Sequence, residues 1–444
     1  MEDVVLKTEA LQLKRRGFGP LSLEFRRGEI VLLCGTSGSG KSTLCQLLSE
    51  TQEPSDGELL IGEARVGYVA HEFENQLVGS LVAEELSIGA RAGRCENRAE
   101  LLEALRVLEQ PLEPFLQTDP HALSASLQQH LLLASLIRSG AEFLILDESM
   151  AYLDSIARKR FAQALTKLAG AGCTILLVSH QNELLELCDR VVFLERGVVA
   201  YEGGTQEFRK SYFERAGFRE EAPTDSLVSR LSRLTECSKD DGLEIQAGGH
   251  QLRLPRKSSL VIGGLSGVGT SRAINSLMGL DPVVDWVLPK GTTPDCLLRQ
   301  HVGPSFWRSS CALELKTSRG AFGEVPHAVE QAIMNSIPAG WLEKAPWQLS
   351  HGQLRFFGAS CLLMQMPRVL FLDHPFQGLD GLLREKLRYS LCEFLKADGR
   401  VVLTTHFPEQ VEGLGHQVIW LEQQGVAWSG PTDADWVAFR LDAE

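Results

Sequence analysis

The chain has 444 residues, room for two or three domains at ~100–200 residues each, and its 44% apolar and 23% charged residues are ordinary for a globular protein. A formal net charge of −13 leaves no footprint for sequence-independent nucleic-acid binding, which needs clustered Lys and Arg. No apolar run is long enough to span a membrane, the acidic N-terminus is unlike a signal peptide, and the scattered cysteines form no Cys-x-x-Cys pair, so no zinc site is signalled and a reducing compartment is expected.

Residues 29–48, EIVLLCGTSGSGKSTLCQLL, read as a buried strand, a Gly-rich turn and a helix. The turn, Gly35-Thr36-Ser37-Gly38-Ser39-Gly40-Lys41-Ser42 followed by Thr43, fits G-x-x-x-x-G-K-S without a mismatch. Glycines let the backbone wrap so that N–H groups face a phosphate, and the helix N-terminus adds partial positive charge. The motif predicts an ATP site, with Lys41 on the β- and γ-phosphates and Ser42 on Mg2+. Residues 143–148, FLILDE, end an apolar strand on two acids. Asp147 is expected to hold the metal ion with Ser42, and Glu148 to polarise the attacking water. His180, closing the strand TILLVSH, is the candidate sensor of the γ-phosphate.

A polar, charged stretch near residues 213–242 marks a boundary. The expected organisation is a first domain over 1–215, a linker over 216–240 and a second domain over 241–444. Residues 258–278 then repeat the strand–turn–helix plan as SSLVIGGLSGVGTSRAINSLM. The later landmarks repeat too. Ser124 and Asp147 are 23 residues apart, as are Ser350 and Asp373; Asp147 and His180 are 33 apart, as are Asp373 and His406. These landmarks recur at an offset of 226, whereas Lys41 and Thr270 share a slot 229 apart. Apolar runs alternating with helical patterns in both halves predict two tandem α/β P-loop domains, each a mainly parallel sheet flanked by helices.

The order of turn, LS-x-x-Q, strand with terminal acid, Leu-Asp and strand-His resembles the ATP-binding-cassette family over nearly the whole chain, twice. The resemblance implies that two domains pack head to tail, each ATP lying between one domain's P-loop and the other's LSGGQ signature. Leu349-Ser350-His351-Gly352-Gln353 matches that signature with one change, so Ser350, Gly352 and Gln353 become candidate nucleotide contacts. Leu123-Ser124-Ala125-Ser126-Leu127 keeps only its Leu and Ser. Asp154 and Asp380 match the family's D-loop. The second turn has Thr270 in place of the lysine, and His374 stands where the general-base Glu belongs. Paired head to tail, Lys41, Ser42, Asp147, Glu148 and His180 meet the good signature, while Thr270, His374 and His406 meet the poor one. Intact parts thus share one site and damaged parts the other, a pattern that favours pairing of the two halves within a chain.

The segment VGYVAHEFENQLVGSLVAEELSIG (66–89) resembles the corresponding stretch of energy-coupling-factor and cobalt-type importer ATPases. Gln76 matches its second Gln; His71 stands in the Q-loop Gln slot and Phe73 in that of a Pro. No Q-loop is recognisable in the second half. Phe18 is a candidate for the adenine stack. The resemblance implies an ATPase subunit that drives separate transmembrane transporter subunits from the cytoplasmic face of the membrane. A soluble tandem protein of the non-transport type and a tandem sugar-importer ATPase remain as alternatives.

Overall fold

The computed structural model describes residues 3–14, 17–71, 73–88, 112–123, 125–150, 153, 155–179, 181–216, 218, 242–247, 250–264, 268–280, 286–287, 296–299, 306, 308–407, 414, 417–422 and 425–431. The chain divides into two compact units, Met1–Glu220 and Glu221–Glu444. Most of the expected linker over 216–240 lies outside the described residues, as do Ser124, Asp154 and His180 and most of the stretch searched for a second Q-loop.

In the first unit the apolar strand of the phosphate motif, β4 (Ile30–Cys34), is buried throughout, as a strand covered on both faces must be. It lies inside a six-stranded sheet of order β10-β9-β4-β8-β7-β6. The partners are β6 (Arg65–Val69), β7 (Ala141–Asp147), β8 (Thr174–Val178), β9 (Arg190–Glu195) and β10 (Val198–Gly203). All neighbours are parallel except β9 and β10, which pair antiparallel, so the sheet is mainly parallel with one antiparallel edge, as expected. Alternate residues feed two cores. Leu32, Leu144 and Leu177 pack on one face; Val31, Leu33, Ile145 and Leu176 pack on the other. A smaller antiparallel sheet of β1 (Val4–Leu13), β2 (Phe18–Leu21), β3 (Glu24–Arg26) and β5 (Asp56–Ile61) contributes to the second of these cores. Helix α1 (Lys41–Leu48) follows the turn, α2 (Ala125–Arg138) follows the first LS pair, and α3 (Ser155–Gly170) follows β7.

The second unit repeats the plan. A small antiparallel sheet holds β11 (Leu243–Ala247), β12 (His250–Leu254) and β14 (Trp286–Val287). Strand β13 (Ser258–Gly264), again buried at every position, sits in a second six-stranded sheet of order β15-β16-β17-β13-β18-β19. Its members are β15 (Cys296–Leu298), β16 (Leu370–Leu372), β17 (Arg400–Thr405), β18 (Gln417–Glu422) and the antiparallel edge β19 (Gly425–Pro431). Helix α4 (Thr270–Leu277) follows the turn, α5 (His351–Met364) follows the second LS pair, and α6 (Gly381–Lys396) follows β16. Among the described residues no helix is long and apolar enough to cross a membrane, and the described cysteines are free thiols.

Parallel pairing sets the site. Leu33 and Asp147 both lie beside Val178 in register, so the ends of β4, β7 and β8 finish side by side. That carboxyl edge is where open α/β sheets bind ligands. In the second unit Gly263 pairs with Thr405, and Leu372 with Leu403, which brings β13, β16 and β17 to the same kind of edge.

Candidate functional site

In the first unit the turn leaves β4 at Gly35 and enters α1 through Gly40, whose φ of 107° is left-handed. A side chain there is excluded twice over, because a Cβ on Gly40 would fall 2.6 Å from the Phe18 ring. Gly35 is equally tight, its would-be Cβ lying 2.2 Å from the Leu194 carbonyl oxygen. Lys41 is buried along the turn, and its Nζ donates to the carbonyl oxygens of Gly35 at 2.6 Å and Thr36 at 3.3 Å. The Ser39 hydroxyl is buried with no partner among the described residues. A lysine folded onto carbonyls around a glycine cradle, beside an unsatisfied buried hydroxyl, fits a phosphate chain.

Asp147 ends β7 below this turn and is 2% exposed. The Ser42 hydroxyl hydrogen-bonds its carboxylate, and Tyr68 Oη reaches its Oδ2 at 3.4 Å. Burial, then the charge of Glu148, raises the Asp147 pKa, against the opposing effects of His71, the Ser42 bond and Lys41. A buried acid paired with a hydroxyl at the phosphate turn is a donor set suited to a hard divalent cation. Glu148 follows with a left-handed φ of 54°, its N–H donating to the Val178 carbonyl oxygen at 3.1 Å. The turned backbone separates the Glu148 side chain from the sheet, and its Oε2 lies 3.8 Å from His71 Nδ1. Four of the predicted residues, Lys41, Ser42, Asp147 and Glu148, therefore share one edge.

Two residues of this site take on meanings the sequence did not supply. Gln76 braces the loop after β6: its Oε1 accepts from Ala70 N at 2.8 Å and its Nε2 donates to the Tyr68 carbonyl at 2.9 Å. The braced loop carries His71 to Glu148. Tyr68, the aromatic of β6, lies inside the quoted segment 66–89, but no contact with Asp147 is legible there. Phe18 is corrected. The expected adenine-stacking ring is 4% exposed and packs beneath Gly40 and Gly197, so it supports the turn from inside instead of offering a face to a base.

The second unit rebuilds the turn with other side chains. Gly269, with φ of 99°, leads into α4 at Thr270. Ser271 Oγ donates to Asp373 Oδ1 at 3.0 Å, repeating the Ser42–Asp147 pair. Thr404 Oγ1 donates to the same oxygen at 2.6 Å and accepts from His374 N at 2.9 Å. His374 shares the left-handed backbone of Glu148, with φ of 49°. Its Nε2 lies 3.4 Å from Thr270 Oγ1, and its ring lies 4.2 Å from that of His406. Burial, then the charges of His406 and Arg355, holds the His374 pKa well below the usual histidine value, so the ring is neutral. The Arg355 guanidinium is fully buried and donates to the His374 carbonyl at 3.1 Å.

The second LS motif is a helix start. Ser350 Oγ accepts from Gln353 N at 3.4 Å, and Gln353 Oε1 accepts from Ser350 N at 3.1 Å, a reciprocal capping box on α5. Gly352 and Gln353 are buried and Ser350 is half-buried. Asp380 likewise caps α6, its Oδ1 accepting from Leu383 N at 2.8 Å.

Comparison with known proteins agrees with this layout. The family model described as ABC transporter matches residues 18–151, and one described as AAA domain, candidate AbiEii toxin, type IV TA system, matches residues 343–411. A candidate ABC transporter ATP-binding protein of Methanosarcina mazei is 26% identical over 90% of this chain and 88% of its own length. An energy-coupling factor transporter ATP-binding protein of Mycoplasma genitalium is 28% identical over 48% of this chain and 84% of its own. Among solved structures, a chain in a ribosome-bound assembly of archaeal Pelota and ABCE1 aligns over 98% of this chain and 80% of its own, with a TM-score of 0.72 at 17% identity. At that identity the likeness is one of fold.

Proposed function

We propose that this chain, an ATP-binding-cassette ATPase with two nucleotide-binding domains in tandem, is the ATP-hydrolysing subunit of an importer of the energy-coupling-factor type. The observation that carries the reading is the gathering of Lys41, Ser42, Asp147 and Glu148 on one sheet edge, in a chain whose relatives include an energy-coupling factor transporter ATP-binding protein. The loop Gly35–Thr43 holds the phosphates, with Lys41 on the β- and γ-groups. Ser42 and Asp147 hold Mg2+, which when bound neutralises charge on the phosphate oxygens. Glu148 takes a proton from the attacking water, and His180 meets the γ-phosphate.

In this reading the two halves, 1–215 and 241–444 around a linker at 216–240, pair with one another within a chain, since a short tether gives each a high effective concentration of the other. Ser350, Gly352 and Gln353 belong to the site opened by Lys41, because that pairing unites every undamaged motif. The chain sits at the cytoplasmic face of the membrane against separate transmembrane subunits, and it imports a vitamin or a metal ion.

Two measurements test this. Glu148→Gln abolishes steady-state ATPase activity while ATP still binds; substantial remaining turnover removes Glu148 from its role. Gentle detergent extraction from the native host yields the chain together with integral membrane subunits. Recovery only with ribosomes, or only in the membrane-free supernatant, overturns the importer while leaving the ATPase standing.

A further inference from the structure

Around Gly264, Gly269 and Thr270 the second unit sets side chains that do not fit a magnesium nucleotide. Three contacts make the case, all within the second unit.

The first concerns what holds the turn. In the first unit Lys41 Nζ donates to the carbonyl of Gly35, the residue at which the turn begins. The residue in that slot of the second unit is Gly264. Its carbonyl oxygen is met by His406 Nδ1 at 2.7 Å. At this carbonyl the donor is a ring at the end of β17. The second contact concerns the space that this ring shares. His374 stacks against it at 4.2 Å, is 6% exposed, and sets its Nε2 at 3.4 Å from Thr270 Oγ1. Two rings thus stand between the turn and the ends of β16 and β17. The third concerns the acid. Asp373 Oδ1 already takes hydrogen bonds from both Ser271 and Thr404, and its slot neighbour His374 cannot act as a carboxylate base.

The charge balance points the same way. A triphosphate needs cations at its β- and γ-groups. Thr270 supplies none. The Arg355 guanidinium is turned to the backbone oxygens of His374 and Gln377. Arg272, in the slot of Thr43, is exposed on the first turn of α4.

We propose that the second turn binds no magnesium nucleotide: the His374–His406 pair, with Thr270, occupies and bridges the space between Gly264 and the start of α4. One chain then binds one ATP, a count that rests on the first turn being the ATP site.

The test is nucleotide stoichiometry by equilibrium dialysis of Mg-ATP against the full-length Glu148→Gln protein, which separates binding from turnover. One nucleotide per chain is expected. Adding Lys41→Ala should weaken that site by about ten- to 100-fold and leave no saturable binding at the original affinity. Two nucleotides per chain, or a saturable site surviving Lys41→Ala unchanged, overturns the proposal. No nucleotide in the parent protein overturns the reading of the first turn instead and still agrees with an empty second. Thr270→Lys in the same background adds no nucleotide, because the His374 ring fills the place the lysine needs. A second nucleotide in that variant means that the turn lacks only a charge, and the proposal falls. His374→Ala/His406→Ala lowers the melting temperature while the dissociation constant at the first turn stays within about twofold, which is under 0.5 kcal/mol at ~1.4 kcal/mol per tenfold. An unchanged melting temperature shows that the rings hold nothing together and also overturns it.

Discussion

In the first half Lys41 Nζ donates to the Gly35 carbonyl and Ser42 pairs with Asp147; in the second, His406 bonds the Gly264 carbonyl and Ser271 pairs with Asp373. Both halves place a left-handed residue after the acid, Glu148 and His374. Among the described residues they differ in which side chain does each job. A lysine can release a carbonyl and take a phosphate, since both are hydrogen-bond acceptors for the same ammonium. In the second half a ring stacked on a second ring meets that carbonyl instead. The comparison teaches that conservation of a backbone plan and conservation of its chemistry are separable: the turn survives because something still satisfies its polar groups.

The largest effect that can break this comparison is on turnover. Glu148→Gln keeps the shape of the side chain and removes its basicity, and the loss of a general base costs about 10²–10⁴ in rate. His374→Gln makes the matching change in the second half and should leave the ATPase rate within about twofold, since that ring lies outside the chemistry proposed here. Parallel steady-state ATPase rates decide. Comparable losses in the two variants would make the halves equivalent after all.

A smaller difference is expected between the two LS motifs. Replacing Ser350 with Arg puts a bulky cation at the start of α5, and in the proposed pairing that helix faces the nucleotide held by Lys41. The rate should fall by about tenfold or more, beyond the ~1 kcal/mol of stability that a lost cap costs on its own. Ser124→Arg faces the turn that lacks its lysine and should change the rate by less than about twofold. Melting temperatures separate cap loss from loss of the nucleotide contact. Equal rate losses, or a larger loss at Ser124, would mean that the halves are paired wrongly.

Much of this was legible before any coordinates. The G-x-x-x-x-G-K-S run, the offset of 226 and the two buried strands ending in acids located the sites, because those features follow from backbone wrapping and parallel registry. What stayed hidden was who replaces whom. His71 stands in the Q-loop slot, and its place beside Glu148, on a loop braced by Gln76, is seen only in the fold. That contact depends on a loop closing back on itself, for which no periodicity exists. Phe18, the candidate for the adenine stack, is a buried support, since an aromatic near a Gly-rich turn carries the same letter in either role. The edge at β10 is the antiparallel exception within the expected mainly parallel sheet, because a hairpin can pair only antiparallel. Thr404 could have been found: subtracting 226 puts it on Val178, and a hydroxyl where the first half has a valine asks for a partner.

That substitution supplies the finest test of the comparison. Thr404 Oγ1 accepts from His374 N at 2.9 Å and donates to Asp373 Oδ1 at 2.6 Å, both buried. In the first half the equivalent N–H, that of Glu148, goes to the carbonyl of Val178. Thr404→Val installs the first-half residue at nearly equal volume. It leaves the His374 N–H without its hydroxyl acceptor, and an unsatisfied buried donor costs about 1–3 kcal/mol. If the backbone adjusts so that this N–H reaches the residue-404 carbonyl, as in the first half, only the Asp373 bond is lost, and the cost falls toward ~1 kcal/mol. The melting temperature of the second unit should then drop by about 2–4 °C per kcal/mol for a domain of this size. The ATPase rate should not change, because nothing in the proposed reaction passes through Asp373. A variant that melts as expected but hydrolyses ATP several-fold more slowly would tie Asp373 to catalysis. The second turn would then have to count as a working site despite its missing lysine.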